Sequence, residues 1–464
     1  MPFLRSKDSR SIIKEGSLDA VKIGVAETYI SAFAIFLGAS ALQLGALATI
    51  PPLLGSFAQL LGMRLAESAR SRKRGIIRLI QIQAFICLLF SFVTLGLELP
   101  INRIYVLMIF FSGYHITIGM IAPLWNSLIG DVVPANIRGR FLGVRNTWMA
   151  VVTLVAVVAG GEVIHFLDHT GNTAQGYCII FVLASIARFL SSLVFRGVVD
   201  FISLGSRGAA FSFWQFIANA RRSNFTKFVL FVGAMNFANA ISGPYFAMYM
   251  LRDLRFTYGE YTLIVASVVL TQSLVVRSWG MFADQYGNRR ILRLCGIMVC
   301  INPILWLLSS DFWSVVCIQI YSGCFWAGFN LSVANFVFDA VTPPKRARCF
   351  AYQGLINGGV MCLGSLLGGV FARQMSVDSG GVLAVFVAPS QFLWLFVVSA
   401  LLRILSMSIL FPLFKEVRSV PRIRSHVLLA RVLSVRPLWG ATYTFVSGLN
   451  ATWSRKQEDT EDKE

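Results

Sequence analysis

Apolar residues run along this chain in long blocks separated by short polar stretches. Each block is close to the roughly 20 residues that a helix needs to cross the hydrocarbon of a bilayer. Six come first, near 21–37, 44–65, 76–97, 104–128, 141–164 and 177–195. Six more follow, near 228–251, 263–282, 291–308, 312–338, 349–371 and 392–411. The pattern predicts an all-α polytopic membrane protein with twelve transmembrane helices. It divides into a cytoplasmic N-terminal segment (1–19), a first six-helix bundle (20–196), a cytoplasmic linker (197–227), a second bundle (228–414) and a basic cytoplasmic tail with a disordered end (415–464).

Charge gives the blocks a direction. Of the 41 lysines and arginines, 33 fall before the first block, in alternate connections or in the tail. Basic residues gather on the cytoplasmic side of a membrane, so both termini are expected there, and an even number of crossings agrees. The linker carries Phe213, Phe216, Ile217 and Ala220 at helical spacing, followed by Arg221 and Arg222. That spacing predicts a helix lying on the inner leaflet.

Composition fits the same class. The chain is 56% hydrophobic and 14% charged, with mean hydropathy +0.68; soluble domains carry about 25% charged residues. The net charge of +19 invites a nucleic-acid reading, but the basic residues punctuate apolar blocks and form no readout motif, so no nucleic-acid partner is expected. The opening residues are polar and no small-residue cleavage site follows, so no cleavable leader is expected. Cys87, Cys178, Cys295, Cys300, Cys317, Cys324, Cys349 and Cys362 show no CxxC spacing and read as small core residues, not as metal ligands.

The two halves repeat each other. Asp131-Val132-Val133-Pro134-Ala135-Asn136-Ile137-Arg138-Gly139-Arg140 follows the fourth block; Asp339-Ala340-Val341-Thr342-Pro343-Pro344-Lys345-Arg346-Ala347-Arg348 follows the tenth. The acid and both arginines keep their spacing. Arg188 in the sixth block matches Arg403 in the twelfth, and both are expected to snorkel to the nearby cytoplasmic surface. Between blocks eight and nine stands Gly280-Met281-Phe282-Ala283-Asp284-Gln285-Tyr286-Gly287-Asn288-Arg289-Arg290. Gly280 is suited to close helix approach and Gly287 to a tight reversal. A degenerate copy, Gly62-Met63-Arg64-Leu65-Ala66-Glu67, follows block two; its acid stands one place late and its second glycine is missing.

The pattern Gly-x-x-x-Asp-x-x-Gly-x-Arg-Arg, with the repeat around it, resembles the major facilitator superfamily of transporters over nearly the whole chain, in a bacterial-type member. The resemblance implies two pseudo-symmetric six-helix bundles that rock about a central cavity lined by helices 1, 4, 7 and 10. It further implies that Asp131, Arg138, Arg140, Asp339, Arg346 and Arg348, completed by Asp284, Arg289 and Arg290, form an ion network that closes the cytoplasmic side. A transporter of this kind works without a cofactor as a monomer in the cytoplasmic (inner) membrane, and its partners are lipid, a small-molecule solute and, where coupled, protons. The helix-5 glycine motif of the superfamily's antiporters is not clear here, so antiport is not favoured over symport.

Polar residues in the four cavity helices are the candidates for binding. Glu27 is the acid well inside helix 1, and an intramembrane carboxyl is expensive to ionise, which suits a proton or substrate site; alternatively it faces water near the surface. His115, Gly119, Ala122 and Asn126 share one stripe of helix 4, where His115 either titrates or links helices. Helix 7 offers Asn236, Asn239 and the helix-breaking Ser242-Gly243-Pro244-Tyr245, while helix 10 offers Trp326 and Asn330 four apart. Each asparagine could equally be interhelical glue, and Tyr245 and Trp326 could pack or stack on a solute. No nucleotide-binding loop, HExxH or Gly-x-Ser-x-Gly occurs. The expected function is therefore gradient-driven transport and not an enzyme activity; the alternative is a non-transporting receptor or assembly factor on the same fold.

Overall fold

The computed structural model describes residues 7–68, 71–95, 102–133, 135–199, 223–308, 310–341, 343–377 and 390–417. The expected inner-leaflet helix of the linker and the tail beyond 417 lie outside the described residues. Among the described residues, eleven segments are long and apolar enough to cross a membrane. In the first half these are α3 (Ala41–Ser68), α4 (Arg72–Thr94), α5 (Arg103–Val132), α6 (Ala135–His169) and α7 (Thr173–Phe195). The second half has a span made of α8 (Asn224–Ser242) and α9 (Tyr245–Met248), then α10 (Tyr258–Tyr286), α11 (Asn288–Leu308), α12 (Phe312–Ala340), α13 (Pro343–Val377) and α14 (Gln391–Ile409). Leu61, Phe85, Ile109, Val155, Phe166, Leu263, Leu308 and Leu401 are exposed on these helices, as lipid-facing side chains should be.

The remaining span comes first and differs from expectation. It begins at Lys7, not near residue 21, and consists of α1 (Lys7–Val25), a 3₁₀ turn at Glu27–Tyr29 and α2 (Ile30–Phe36). Residues expected in a cytoplasmic N-terminal segment are helical and partly internal: Ser9 and Ile12 are fully buried and Glu15 is 3% exposed, with Ala20 fully buried just beyond. The sequence pattern hides this, because α1 is close to neutral in hydropathy while its charges find partners inside the bundle.

Within the first half α3 packs on α5, α4 on α7 and α1 on α6 and α7; the second half repeats this with α10 on α12, α11 on α14, and α8 on α13 and α14. Across the halves α3 packs on α13 and α6 on α10. The repeat extends to single bonds. Arg72 at the start of α4 donates to Asp131 at the end of α5 (2.6 Å), and Asn288 at the start of α11 donates to Asp339 at the end of α12 (2.6 Å). These turns, with Lys73, Arg74, Arg289 and Arg290, mark one end of the molecule, called here the basic end.

Gly287 closes α10 with φ of 89°, a conformation only glycine adopts without strain. Gly280 behaves otherwise than expected, since a Cβ there would meet only Leu331 at an ordinary 3.8 Å. The close approach in this region is at Gly328, where a Cβ would fall 2.8 Å from the Trp279 ring. In the first half it is at Gly62, whose Cβ would lie 2.7 Å from Met120 O.

Candidate functional site

The site grows out of two helix breaks at matching places. In the first span the chain leaves the α-helix at Ala26 (φ −113°, ψ −63°) and passes through the 3₁₀ turn, without glycine or proline to announce it. In the seventh, α8 stops at Ser242 and Gly243-Pro244 intervenes before Tyr245, as the sequence leads one to expect. Pro244 has no amide hydrogen to continue the ladder. Glu27 and Gly243 stand two residues before Tyr29 and Tyr245, so the breaks are counterparts.

The first break turns Glu27 out of the helix, half-buried, where the Tyr114 hydroxyl of α5 donates to its Oε2 at 2.7 Å. Tyr114 is buried, and the Lys22 ammonium lies 4.9 Å from its ring centroid. His115 is half-buried beside it, edge-on to Phe111 (4.6 Å) and Tyr114 (5.6 Å). Asn126 is exposed three turns further toward the basic end, next to Trp125, over whose ring Arg145 stacks at 4.5 Å.

Behind Glu27 runs a ladder of buried charges that sequence reading missed. Lys22 pairs with Asp19 (3.0 Å), Asp19 with Arg188 of α7 (2.9 Å), Arg188 with Glu15 (3.4 Å), and Glu15 with Arg145 of α6 (3.3 Å). Arg188 also donates to Gln83 of α4 at 2.5 Å and to Ser191 at 3.2 Å. With Glu27 the signs alternate, three positive and three negative. Arg188 is 4% exposed, so the expected snorkelling does not occur; its acids sit on α1, one turn apart on the inward face. Spacing of Glu15, Asp19 and Lys22 along one helical face was the signal available.

In the second half, Arg403 is fully buried and likewise does not snorkel. It donates to Val299 O of α11 (2.9 Å) and, through Nη2, to Asn239 Oδ1 of α8 (2.9 Å) and Ser242 Oγ (3.5 Å). Its guanidinium faces the Trp326 ring at 5.8 Å. Asn236, Asn239 and Trp326 are half-buried and Asn330 is exposed.

Tyr245 is not available for stacking on a solute. It is fully buried, parallel to Phe392 at 6.0 Å, and donates to Ser365 O of α13 at 2.6 Å. Its oxygen would lie 2.4 Å from a Cβ at Gly45 of α3, and Ser365 Oγ donates to Gly45 O across the halves (2.9 Å). Tyr29 does the corresponding thing in the first half: it donates to Val157 O of α6 (2.6 Å) and meets Thr262 of α10. Each first span thus sends a tyrosine through its own fifth span to the second span of the other half. Both contacts lie toward the end opposite the basic turns.

At the basic end, Asp284 is exposed, Arg289 stacks over Phe411 (4.7 Å) while its amide donates to Glu416 (2.8 Å), and Arg290 reaches Tyr286 O (3.4 Å). Asp131 and Asp339 make the bonds given above. The side chains of Arg138, Arg140, Arg346 and Arg348 lie outside the described residues.

Comparison with known proteins follows the same lines. The family model described as the Major Facilitator Superfamily matches residues 228–454. The quinolone resistance protein NorA of Staphylococcus aureus is 26% identical over 124 residues, which are 26% of this chain and 32% of that protein. A probable peptide/nitrate transporter of Arabidopsis thaliana is 24% identical over 131 residues, 27% of each chain. An MFS-type transporter of Aspergillus terreus is 24% identical over 126 residues, 27% of this chain and 23% of that one. The chain therefore spans about a quarter to a third of the length of these relatives.

Solved structures share the fold over nearly the whole chain. The nucleoside transporter NupG superposes with TM-score 0.62 at 16% identity, covering 88% of this chain and 99% of that one. A bacterial homologue of the human lysosomal transporter Spinster, inward-facing and occupied, gives 0.64 at 16% over 89% and 97%. A D-xylose-proton symporter gives 0.63 at 13% over 89% and 98%. The family model thus matches the second half of the chain, while the fold shared with these solved structures extends over both halves, twelve spans in two repeated sets of six.

Proposed function

We propose that the protein is a secondary active transporter that moves a small organic solute by alternating access, with Glu27 as the group that binds a proton or the solute. The observation that carries this reading is the break in the first span. It sets a carboxylate, held by one tyrosine and balancing the ladder of charges behind it, at a half-buried position beside His115. An ionisable group at such depth is expensive to maintain and marks a path for ions or substrate. The names of similar proteins, which include nucleoside and xylose-proton transporters, support solute movement with or without protons.

The basic end faces the cytoplasm in this proposal, with both termini there, in the cytoplasmic membrane, and the protein acts as a monomer. The tyrosine contacts hold the opposite face shut while Asp131, Arg138, Arg140, Asp339, Arg346, Arg348, Asp284, Arg289 and Arg290 rearrange at the basic face. Asn126, Asn236, Asn239, Trp326 and Asn330 supply the remaining polar contacts to the solute.

The test is flux in sealed vesicles containing purified protein, with and without an imposed proton gradient. Accumulation of a solute, lost in protein-free vesicles, is the expected result. Stable capture of a protein partner with no flux of any solute would replace this reading by that of a receptor on the same fold.

A further inference from the structure

The two repeated arginines are not equivalent electrostatically. Arg188 is met by two carboxylates, Glu15 and Asp19, both on the first span. Taking Tyr29 and Tyr245 as counterparts, the same positions on the seventh span are Phe231 and Met235, and both are fully buried. Arg403 accordingly has neutral oxygens as its hydrogen-bond partners, and no carboxylate pairs with it among the described residues. Among the described residues its Nε has no partner, although the side chain is fully buried. A buried guanidinium stays charged at any ordinary pH and demands an anion.

We propose that Arg403 is the anion-binding group of the solute site, and that the transported solute carries a carboxylate or phosphate which it neutralises. This deepens the transport reading above and rests on it. The route to Arg403 passes between α8 and α12, where Asn239 and Trp326 are half-buried. An anion arriving there has one neutral amide oxygen to displace, Asn239 Oδ1, before it meets Nη2. The planar guanidinium can then take the anion through two parallel N–H bonds, as it prefers to do. Trp326 covers the guanidinium face and excludes water from the pair. The first half holds its charge in balance, Glu27 included, so the uncompensated charge lies in the second half, at Arg403.

The experiment measures binding to purified full-length protein by thermal shift and flux in vesicles. The probes are lactate and succinate as carboxylates, glycerol 3-phosphate and inorganic phosphate as phosphates, and uridine and xylose as neutral solutes. Carboxylates and phosphates are separate arms, so the anion's source is read directly. Stabilisation by an anionic probe, weakened at least tenfold in Arg403→Gln and recovered in part in Arg403→Lys, is the expected result. Because Arg403→Gln also removes buried hydrogen bonds to Val299 O, Asn239 and Ser242, Asn239→Asp is the second variant. It gives Arg403 an internal carboxylate, so it should raise the melting temperature and abolish anion binding together. Flux of a neutral solute unaffected by both variants would overturn the anion site while leaving the transporter intact; absence of flux for every solute would count against the transport reading itself. Failure of all anionic probes to bind overturns the inference.

Discussion

The Tyr29 hydroxyl lies 3.0 Å from Thr262 Oγ1, tying the first span of one half to the second span of the other. Its counterpart Tyr245 reaches Gly45, where the backbone of α3 and not a side chain is the neighbour. Both tyrosines keep a bond to a carbonyl of their own half, so only one contact of each must break for the halves to part. A hydrogen bond nets about 1 kcal/mol. Removing the Tyr29 hydroxyl should therefore shift the balance between outward-closed and outward-open states by about fivefold. Spin-label distances across the α6–α10 seam should show more of the separated population in Tyr29→Phe and in Thr262→Val; an unchanged distribution would show that the bond does not hold that face.

Glu27→Gln keeps the shape of the site but removes the ionisable group, while Tyr114 can still donate to the amide oxygen. Proton-driven accumulation should vanish, and exchange of solute across the membrane should persist. Accumulation equal to the parent's would remove Glu27 from the coupling role. Tyr114→Phe leaves the carboxylate without its donor and should slow both activities by about ten- to a hundredfold, given the roughly 1.5–3 kcal/mol typical of hydrogen bonds to charged groups.

Arg188 is a structural charge. Arg188→Leu leaves Glu15 and Asp19 buried with one cationic partner fewer, and breaking a buried pair this way costs about 3–5 kcal/mol. The purified variant should melt well below the parent. Adding Asp19→Asn removes one of the stranded acids, so the double variant should recover part of the loss. Equal melting of the single and double variants would mean that Asp19 is not what Arg188 neutralises.

The legible parts of this protein are those that lipid dictates. A spanning helix in hydrocarbon must satisfy its own backbone and show apolar side chains, which leaves continuous runs in the sequence. All twelve spans announce themselves that way, but the early start of the first at Lys7 does not, because Glu15 and Asp19 read as residues of a cytoplasmic segment, whereas their partners lie on α6 and α7, well over a hundred residues away. The repeat showed that Arg188 and Arg403 correspond but not that one is neutralised and the other bare, since that depends on what α1 and α8 present. Glu27 was visible as an acid in the wrong solvent; the helix break that frees it has no local signal. Tyr245 looked like a surface for stacking, and its burial against Ser365 and Phe392 is a property of tertiary packing alone.

Two glycines separate folding from switching. A Cβ on Gly119 of α5 would lie 2.0 Å from Gly55 O of α3, a contact within the first half against immovable backbone. A Cβ on Gly161 of α6 would lie equally near, 2.0 Å, but to Thr262 Oγ1 of α10, across the halves. Overpacking inside a bundle costs about 1–3 kcal/mol, so Gly119→Ala should lower the melting temperature. Gly161→Ala meets a seam that can open, so its strain is relieved by parting α6 from α10 and its melting temperature should fall less. The same variant should favour the outward-open state, as Tyr29→Phe does. Thr262→Ala removes the two closest of the three atoms involved and should restore the closed population in the double variant. Gly359→Ala on α13, where a Cβ meets nothing within 4 Å among the described residues, is the neutral control. If Gly161→Ala destabilised the protein as much as Gly119→Ala and Thr262→Ala gave no rescue, the α6–α10 seam would be part of a rigid core and could not serve as a gate.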